Sequence, residues 1–295
     1  MAILVDERSR VIVQGATGHM GRAFMIKLAR YYDNLVGGVA PGRGGQTVAG
    51  RHIFDSVAEA VAATQANASV IVVPAAGTSD AVYEALDAGI TIMSIYTDLI
   101  PIHQTVGFLA HARACGARIV GPNAAGVVSP GRGSISELND AILRPGRIGI
   151  VSKSGSLTYE VCHWLEGLDL GQSTICCLGG DPIIGTRIAE VLEAFDRDEE
   201  TDGVVLLGEV GGTDELVAAE VISGMHKPVV AYVAGHSAPP GKPMGHAGAL
   251  LSRNVESAAS KSATLRRAGA QVVDVLERLP AALRESFGRA SMGAR

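Results

Sequence analysis

The sequence predicts two doubly wound α/β domains, and three observations carry that reading. Short runs rich in Val and Ile alternate with helix-length amphipathic stretches, glycines gather at the ends of the apolar runs, and the pattern starts over near the middle of the 295 residues. Strands covered on both faces read as near-continuous apolar runs, and the helices between parallel strands supply that cover. The length accommodates two domains of ordinary size.

In order, Arg10–Gln14, Asn34–Val39, Ala68–Val73, Ile90–Ile95 and Arg118–Val120 are the expected strands of the first domain, which ends near Gly121 to Pro130. The segment that follows holds Pro130, Gly131, Gly133, Pro145 and Gly146 among scattered charges, the punctuation of a connection. The second set is Ile148–Val151, Ser173–Leu178, Gly203–Leu207, Val229–Val233 and Gln271–Val275. An amphipathic helix over Leu276–Phe287 is expected to dock on it, with Ala290–Arg295 frayed.

Composition excludes several function classes. A net charge of −5, no basic block and 4% aromatic residues offer nucleic acid neither an electrostatic footprint nor a stacking platform. No apolar run reaches the roughly 18 residues of a membrane span, and the charged N-terminus has no signal-like apolar region, so a cytoplasmic protein is expected. Cys115, Cys162, Cys176 and Cys177 lack CxxC spacing and read as buried thiols, not as a disulfide or metal set.

Several turns carry chemistry. The first strand runs through Gly15-Ala16-Thr17-Gly18-His19-Met20-Gly21 into a helical pattern over Arg22–Tyr31, so a glycine turn presents helix N-terminal amides to a phosphate. A nicotinamide site would place an acid about 20 residues on to hold ribose hydroxyls. The second strand ends instead in glycines around Arg43, whose planar fork suits phosphate oxygens, so a highly phosphorylated ligand such as coenzyme A fits better and an NADP-type site is the alternative. Later strand ends carry Val73-Pro74-Ala75-Ala76 and Tyr96-Thr97-Asp98 at the carboxyl edge where such sheets bind ligands.

In the second domain, Ser152-Lys153-Ser154-Gly155-Ser156 turns from strand into helix as a second anion cradle, a residue set that ordinary N-capping by Ser154 or Ser156 also explains. Further turns are Gly179-Gly180-Asp181-Pro182 and Gly208-Glu209-Val210-Gly211-Gly212. The stretch Gly241 to Gly248 sets His246 among small residues, read as a flexible loop with room for a phosphate-sized group. Glu209 is a carboxylate that could orient one imidazole nitrogen and leave the other nucleophilic, or else a solvated turn residue.

Taken together, the GATGHMG turn, Val36–Gly45, Gly121-Pro122-Asn123, Ser152–Glu160, Gly179–Pro182, Gly208–Gly212 and Met244–Gly248 stand in the order of the succinyl-CoA synthetase (succinate-CoA ligase) alpha-subunit family, which the chain resembles over nearly its whole length. The resemblance implies a Rossmann-like CoA-binding domain at 1–125, a connecting segment at 126–147 and a flavodoxin-like ligase domain at 148–295 carrying a phosphohistidine. It implies His246 as the phosphorylated residue and Glu209 as its orienting carboxylate. Thr17, Gly18, His19, Met20, Arg43, Pro74, Tyr96, Thr97 and Asp98 would contact CoA, and Tyr159, Ser154, Gly155, Ser156 and Asn123 would serve substrate and phosphate. The same resemblance implies a beta-subunit partner with an ATP-grasp site for ATP or GTP with Mg²⁺, and a small carboxylic acid as substrate.

The chain departs from the family pattern at several positions, the last of which, Ser134–Asp140, the resemblance places near the acid and thiol ends of the site. Ala124-Ala125 stand for the usual Cys-Pro, Arg43 for Lys, Lys153 for Arg, Asp98 for Glu, and Ser134–Asp140 for a glycine-rich stretch. Malate or another carboxylate is therefore an alternative to succinate. A nicotinamide oxidoreductase and a non-catalytic CoA-binding regulator are the readings from other classes.

Overall fold

The computed structural model describes residues 2–288. The expected fraying of Ala290–Arg295 lies outside them. The chain divides into two compact units, Leu4–Asp140 with Ile183–Thr186, and Ala141–Pro182 with Arg187 onward plus the extreme N-terminus.

The first unit contains β1 (Val11–Gln14), α1 (His19–Tyr31), β2 (Leu35–Val39), β3 (Thr47–Val48), β4 (Arg51–Phe54), α2 (Val57–Thr64), β5 (Ala68–Ile71), α3 (Ala75–Asp87), β6 (Ile92–Ile95), α4 (Ile102–Ala114), β7 (Arg118–Val120), β8 (Gly126–Ser129) and β9 (Gly133–Ser134). The sheet order is β3-β4-β2-β1-β5-β6-β7, parallel except for β3 against β4. Without β3, this is the Rossmann order, and the connection reverses direction between β1 and β5. Ile12, Ile71, Met93, Ile95, Phe108 and Leu109 lie in one buried cluster beneath that crevice. Each side chain of this size contributes roughly 1.5–3 kcal/mol on burial, enough together to hold the strand ends in fixed register.

β4 was not expected from the sequence. Its four residues, Arg-His-Ile-Phe, bury only Ile53 fully, so the apolar run that marks the other strands is missing. Residues 126–147 include the antiparallel β8–β9 pair and a 3-10 turn at Asp140–Ile142. Cys115 caps the C-terminus of α4 and is exposed, while Cys162, Cys176 and Cys177 are buried, so the expectation of buried thiols fails at one position.

The second unit contains β10 (Pro145–Ser152), α5 (Gly155–Gly167), β11 (Gln172–Cys177), α6 (Ile188–Arg197), β12 (Gly203–Glu209), α7 (Asp214–Ile222), β13 (Val229–Ala234), β14 (Pro243–Met244), β15 (His246–Leu250), α8 (Ala258–Arg267), β16 (Gln271–Val273) and α9 (Leu279–Phe287). Its strands run in the order β16-β13-β12-β10-β11, all parallel. That is the flavodoxin-like order, with its switch point between β10 and β12. Gly149 admits the ring of Phe195 from α6, since a Cβ there would sit 2.7 Å from the ring. No described helix is long and apolar enough to cross a membrane.

Candidate active site

In the second unit, the switch point puts the ends of β11, β10 and β12 side by side. β10 and β12 pair with Ser152 opposite Leu207, so Glu209 leaves the sheet beside the turn into α5. His246 enters from the β14–β15 hairpin, where Gly245 turns with φ +88° and Met244 pairs with His246. The segment expected as a flexible loop is thus a short strand. Its backbone is held at Gly248, whose N–H donates to the Gly180 carbonyl at 2.9 Å, and at Gly241, whose N–H donates to the Leu251 carbonyl at 3.0 Å.

The imidazole touches two strand ends. Nδ1 lies 2.7 Å from Glu209 Oε2, and the ring lies so close to Gly180 that a Cβ there would be 2.3 Å from Cγ. Gly180 follows β11 and Glu209 ends β12, and β10 lies between those two strands in the sheet. The turn into α5 follows β10. There Ser154 caps the helix, its Oγ accepting from the Leu157 N–H at 3.3 Å. The amides of Gly155 and Ser156 have no intrahelical acceptor at a helix start, which makes that start a favourable place for an anion. The capping reading of this turn holds, since Ser154 is the N-cap of α5.

A carboxylate only accepts hydrogen bonds, so the proton of the Glu209 contact sits on Nδ1 and, in the neutral ring, Nε2 carries the free lone pair. The His246 side chain keeps 31% of its surface exposed, against 11% for Glu209. The hydrogen bond to Glu209 raises the imidazole above its ordinary value; burial opposes, the Glu209 and Asp181 charges add to the rise, and Lys153 subtracts. Because the folded-state value is raised, the stability from this pair is complete below about pH 6.5 and fades as pH rises through the folded value. The Nε2 lone pair becomes free over that same rise.

Glu209→Gln tests this arrangement. The ring's titration midpoint, followed by NMR, is expected to fall below that of the wild type, and phosphoryl acceptance to drop by on the order of 10²-fold or more through loss of the selected tautomer. An unchanged midpoint would remove Glu209 from the role.

Tyr159 is half-buried on α5, one turn beyond Gly155. Asn123 is in the first unit, at φ +56°, its N–H donating to the Thr97 carbonyl at 3.0 Å. It therefore belongs with the strand-end residues of the first sheet. Sequence reasoning missed Lys261 and Glu215, which lie behind Glu209. Lys261 shares one face of α8 with Ala258, Ser262 and Leu265, the spacing of a buried stripe, and this was the available signal.

In the first unit the expected CoA residues gather at the carboxyl edge of the sheet. The β1–α1 turn is tight: Gly18 N–H donates to the Gly15 carbonyl at 3.1 Å, and a Cβ on Gly21 would lie 2.0 Å from that oxygen. Gly18 caps α1 without a side-chain hydrogen bond, so the helix begins at His19, three residues earlier than expected, with Thr17 and Met20 beside it. Arg43 is exposed on the turn after β2, between Gly42 at φ +73° and Gly45 at φ +85°. Pro74 caps α3. Thr97 Oγ1 donates to the Val73 carbonyl at 2.6 Å, tying the ends of β5 and β6, and Tyr96 packs edge-on against Phe24 at 5.6 Å. Asp98 is exposed next to them. Among the described residues no group of three or more His, Cys, Asp or Glu is placed to hold a metal ion.

A CoA binding domain matches residues 6–99 and a CoA-ligase domain matches residues 151–271, so fold and site together define an acid-CoA ligase subunit. The chain is 50% identical to succinate-CoA ligase (ADP-forming) subunit alpha 2 of Archaeoglobus fulgidus, over 92% of this chain and 95% of that one. It is 42% identical to the corresponding alpha subunit of Methanothermobacter thermautotrophicus, over 99% and 98%. The chain belongs to the succinate-CoA ligase alpha-subunit family, the NDP-forming acid-CoA ligases. In fold it matches ATP citrate lyase from Methanothrix soehngenii, solved in complex with citrate and coenzyme A, with a TM-score of 0.90 at 23% identity. The match covers 98% of this chain and 51% of the lyase chain, so it spans about half of that protein. Family membership displaces the nicotinamide oxidoreductase reading.

Proposed function

We propose that this chain is the alpha subunit of a cytoplasmic succinate-CoA ligase, with His246 as the residue that carries phosphate between two reactions. The observation that supports it most is the 2.7 Å contact of Nδ1 with Glu209, which leaves Nε2 as the nucleophile over a helix start suited to an anion. Nε2 attacks the γ-phosphorus of ATP, and ADP leaves from an ATP-grasp site on a beta subunit, with Mg²⁺ accompanying the nucleotide there; GTP is the alternative donor. The succinate carboxylate then takes the phosphoryl group from Nε2, giving an acyl phosphate. The CoA thiolate attacks the acyl carbon, phosphate leaves, and succinyl-CoA results. Each step breaks one bond and forms one, and the imidazole is regenerated.

In this reading residues 1–125 hold CoA, residues 126–147 connect, and residues 148–295 carry the phosphohistidine. Thr17 to Met20, Arg43, Pro74 and Tyr96 to Asp98 form the CoA edge, the glycine turn admitting the pyrophosphate and Arg43 a ribose phosphate. Ser154 to Ser156 and Tyr159 serve phosphate and acid, and Asn123 has the same task on the first sheet's edge. Arg43→Ala is expected to weaken CoA binding by about tenfold in calorimetry, with the deficit shrinking as salt is raised. A salt-independent affinity equal to wild type would remove Arg43 from the site.

The deciding experiment incubates the protein and its beta subunit with Mg-ATP or Mg-GTP and looks for acid-labile, base-stable phosphate on His246. Loss of that phosphate on adding CoA and succinate supports the proposal. Loss with malate or another acid alone renames the substrate, and absence of phosphate with a competent partner returns the protein to the regulator class.

A further inference from the structure

The Glu209 backbone is held on both sides by charged groups that the proposed reaction does not use. Lys261 Nζ donates to the Glu209 carbonyl at 2.7 Å, to the Gly211 carbonyl at 2.6 Å and to Glu215 Oε2. Those three partners use all three ammonium hydrogens. Glu215 Oε1 accepts the Glu209 N–H at 3.1 Å and lies 3.7 Å from Lys153 Nζ. The side chains of Lys261 and Glu215 have 0% exposure. Gly208 makes the approach possible, since a Cβ there would lie 2.9 Å from Glu215 Cγ and Oε1.

We infer that the buried Lys261–Glu215 pair is a positioning device for His246: it fixes both backbone ends of Glu209, and so fixes the carboxylate that selects the Nδ1–H form of the ring. The inference rests on the reading of His246 as the phosphorylated residue. Two facts separate it from simple core filling. A buried ion pair is commonly replaceable by apolar residues without loss of stability, so packing alone does not call for one here. And the hydrogen bonds of the pair go to the peptide groups around Glu209, not to remote parts of the core.

Glu215 has a second task. Lys153 is within electrostatic reach of His246, and so are Glu209 and Asp181. Left without a partner, the Lys153 ammonium would compete with the imidazole for Glu209. Glu215 takes that charge instead. Burial alone would raise the Glu215 carboxyl, but the charges of Lys153 and Lys261 overcome it and hold Glu215 ionised.

The test uses the full chain carrying Glu215→Leu together with Lys261→Met, which removes both charges of the pair and releases Lys153 toward Glu209. Cooperative unfolding and the circular dichroism of the wild type are expected to persist. Nitrogen-15 NMR of the histidine is expected to shift from the Nδ1–H tautomer toward a mixture, with the titration midpoint falling. Phosphate uptake at His246 with the beta subunit and Mg-ATP is expected to slow by about tenfold, the scale of losing an orienting outer contact. A folded double variant with wild-type tautomer, midpoint and phosphorylation rate would overturn the inference. If that variant does not fold, Gly208→Ala, which pushes on Glu215 while keeping every charge, decides between the outcomes by the same readouts: a shift supports the inference, and no shift overturns it. A tautomer shift in a protein whose wild type takes no phosphate would refute the proposed function alone.

Discussion

His246→Asn is expected to take up no phosphate from Mg-ATP in the presence of the beta subunit, and to lower acyl-CoA formation by on the order of 10⁴-fold or more, as losing a covalent nucleophile does elsewhere. Asn is the informative replacement because its amide N–H can stand where Nδ1–H stands and donate to Glu209. The carboxylate, which is largely buried, is then not left unpaired, a loss that would by itself cost about 1–3 kcal/mol. What disappears is Nε2. CoA affinity, measured by calorimetry, is expected to match the wild type, since the proposed CoA contacts all lie on the first sheet's edge. Turnover within tenfold of the wild type would show that the phosphoryl group travels by another route.

Gly180→Ala is expected to slow phosphohistidine formation sharply, because its methyl would strike the imidazole itself. A Cβ at that position would lie 2.3 Å from His246 Cγ, 2.5 Å from Nδ1 and 2.7 Å from Cδ2. These atoms are at the root and core of the ring, so a swing of the ring tip gives no relief. Gly180 itself has no positive φ, and the three atoms nearest the added methyl all belong to the imidazole. The ring must retreat by about an ångström, away from the geometry set by Glu209, and displacements of that size cost about 10²-fold in rate. The overpacking itself is expected to cost about 1–3 kcal/mol of stability. Rapid-quench measurement of phosphohistidine formation checks the first figure and chemical denaturation the second. A folded variant with wild-type phosphorylation kinetics would mean that the ring works from a position other than the one described.

Most strands of both sheets were readable in the sequence, because parallel strands covered on two faces write themselves as runs such as Val204-Val205-Leu206-Leu207. β4 was not, since an outer strand with one fully buried side chain leaves a pattern no different from a polar turn. The residues of the site were legible one at a time: a histidine among glycines, an acid after an apolar strand, a serine-rich helix start. Their convergence was not, because it depends on β10 lying between β11 and β12, an order that no local pattern encodes. The strand character of the His246 segment was hidden for a related reason: Gly245 and Gly248 read as freedom, whereas one makes a turn and the other makes close contact with Gly180. Lys261 and Glu215 were hidden by charge, since a sequence pattern assigns charged residues to solvent unless a partner is in view.

The unequal burial of the four cysteines gives the protein a built-in attachment point. Cys115 ends α4 in solvent, whereas Cys162, Cys176 and Cys177 are enclosed, and burial pushes the Cys162 thiol up to about 12. Reagents such as maleimides need an accessible thiol, so exposure directs a dye to Cys115. A fluorophore placed there leaves the glycine turn, Arg43 and the His246 hairpin chemically untouched. Titration of the labelled chain with a beta subunit then gives the stoichiometry of assembly directly, with no engineered tag and no cysteine removed.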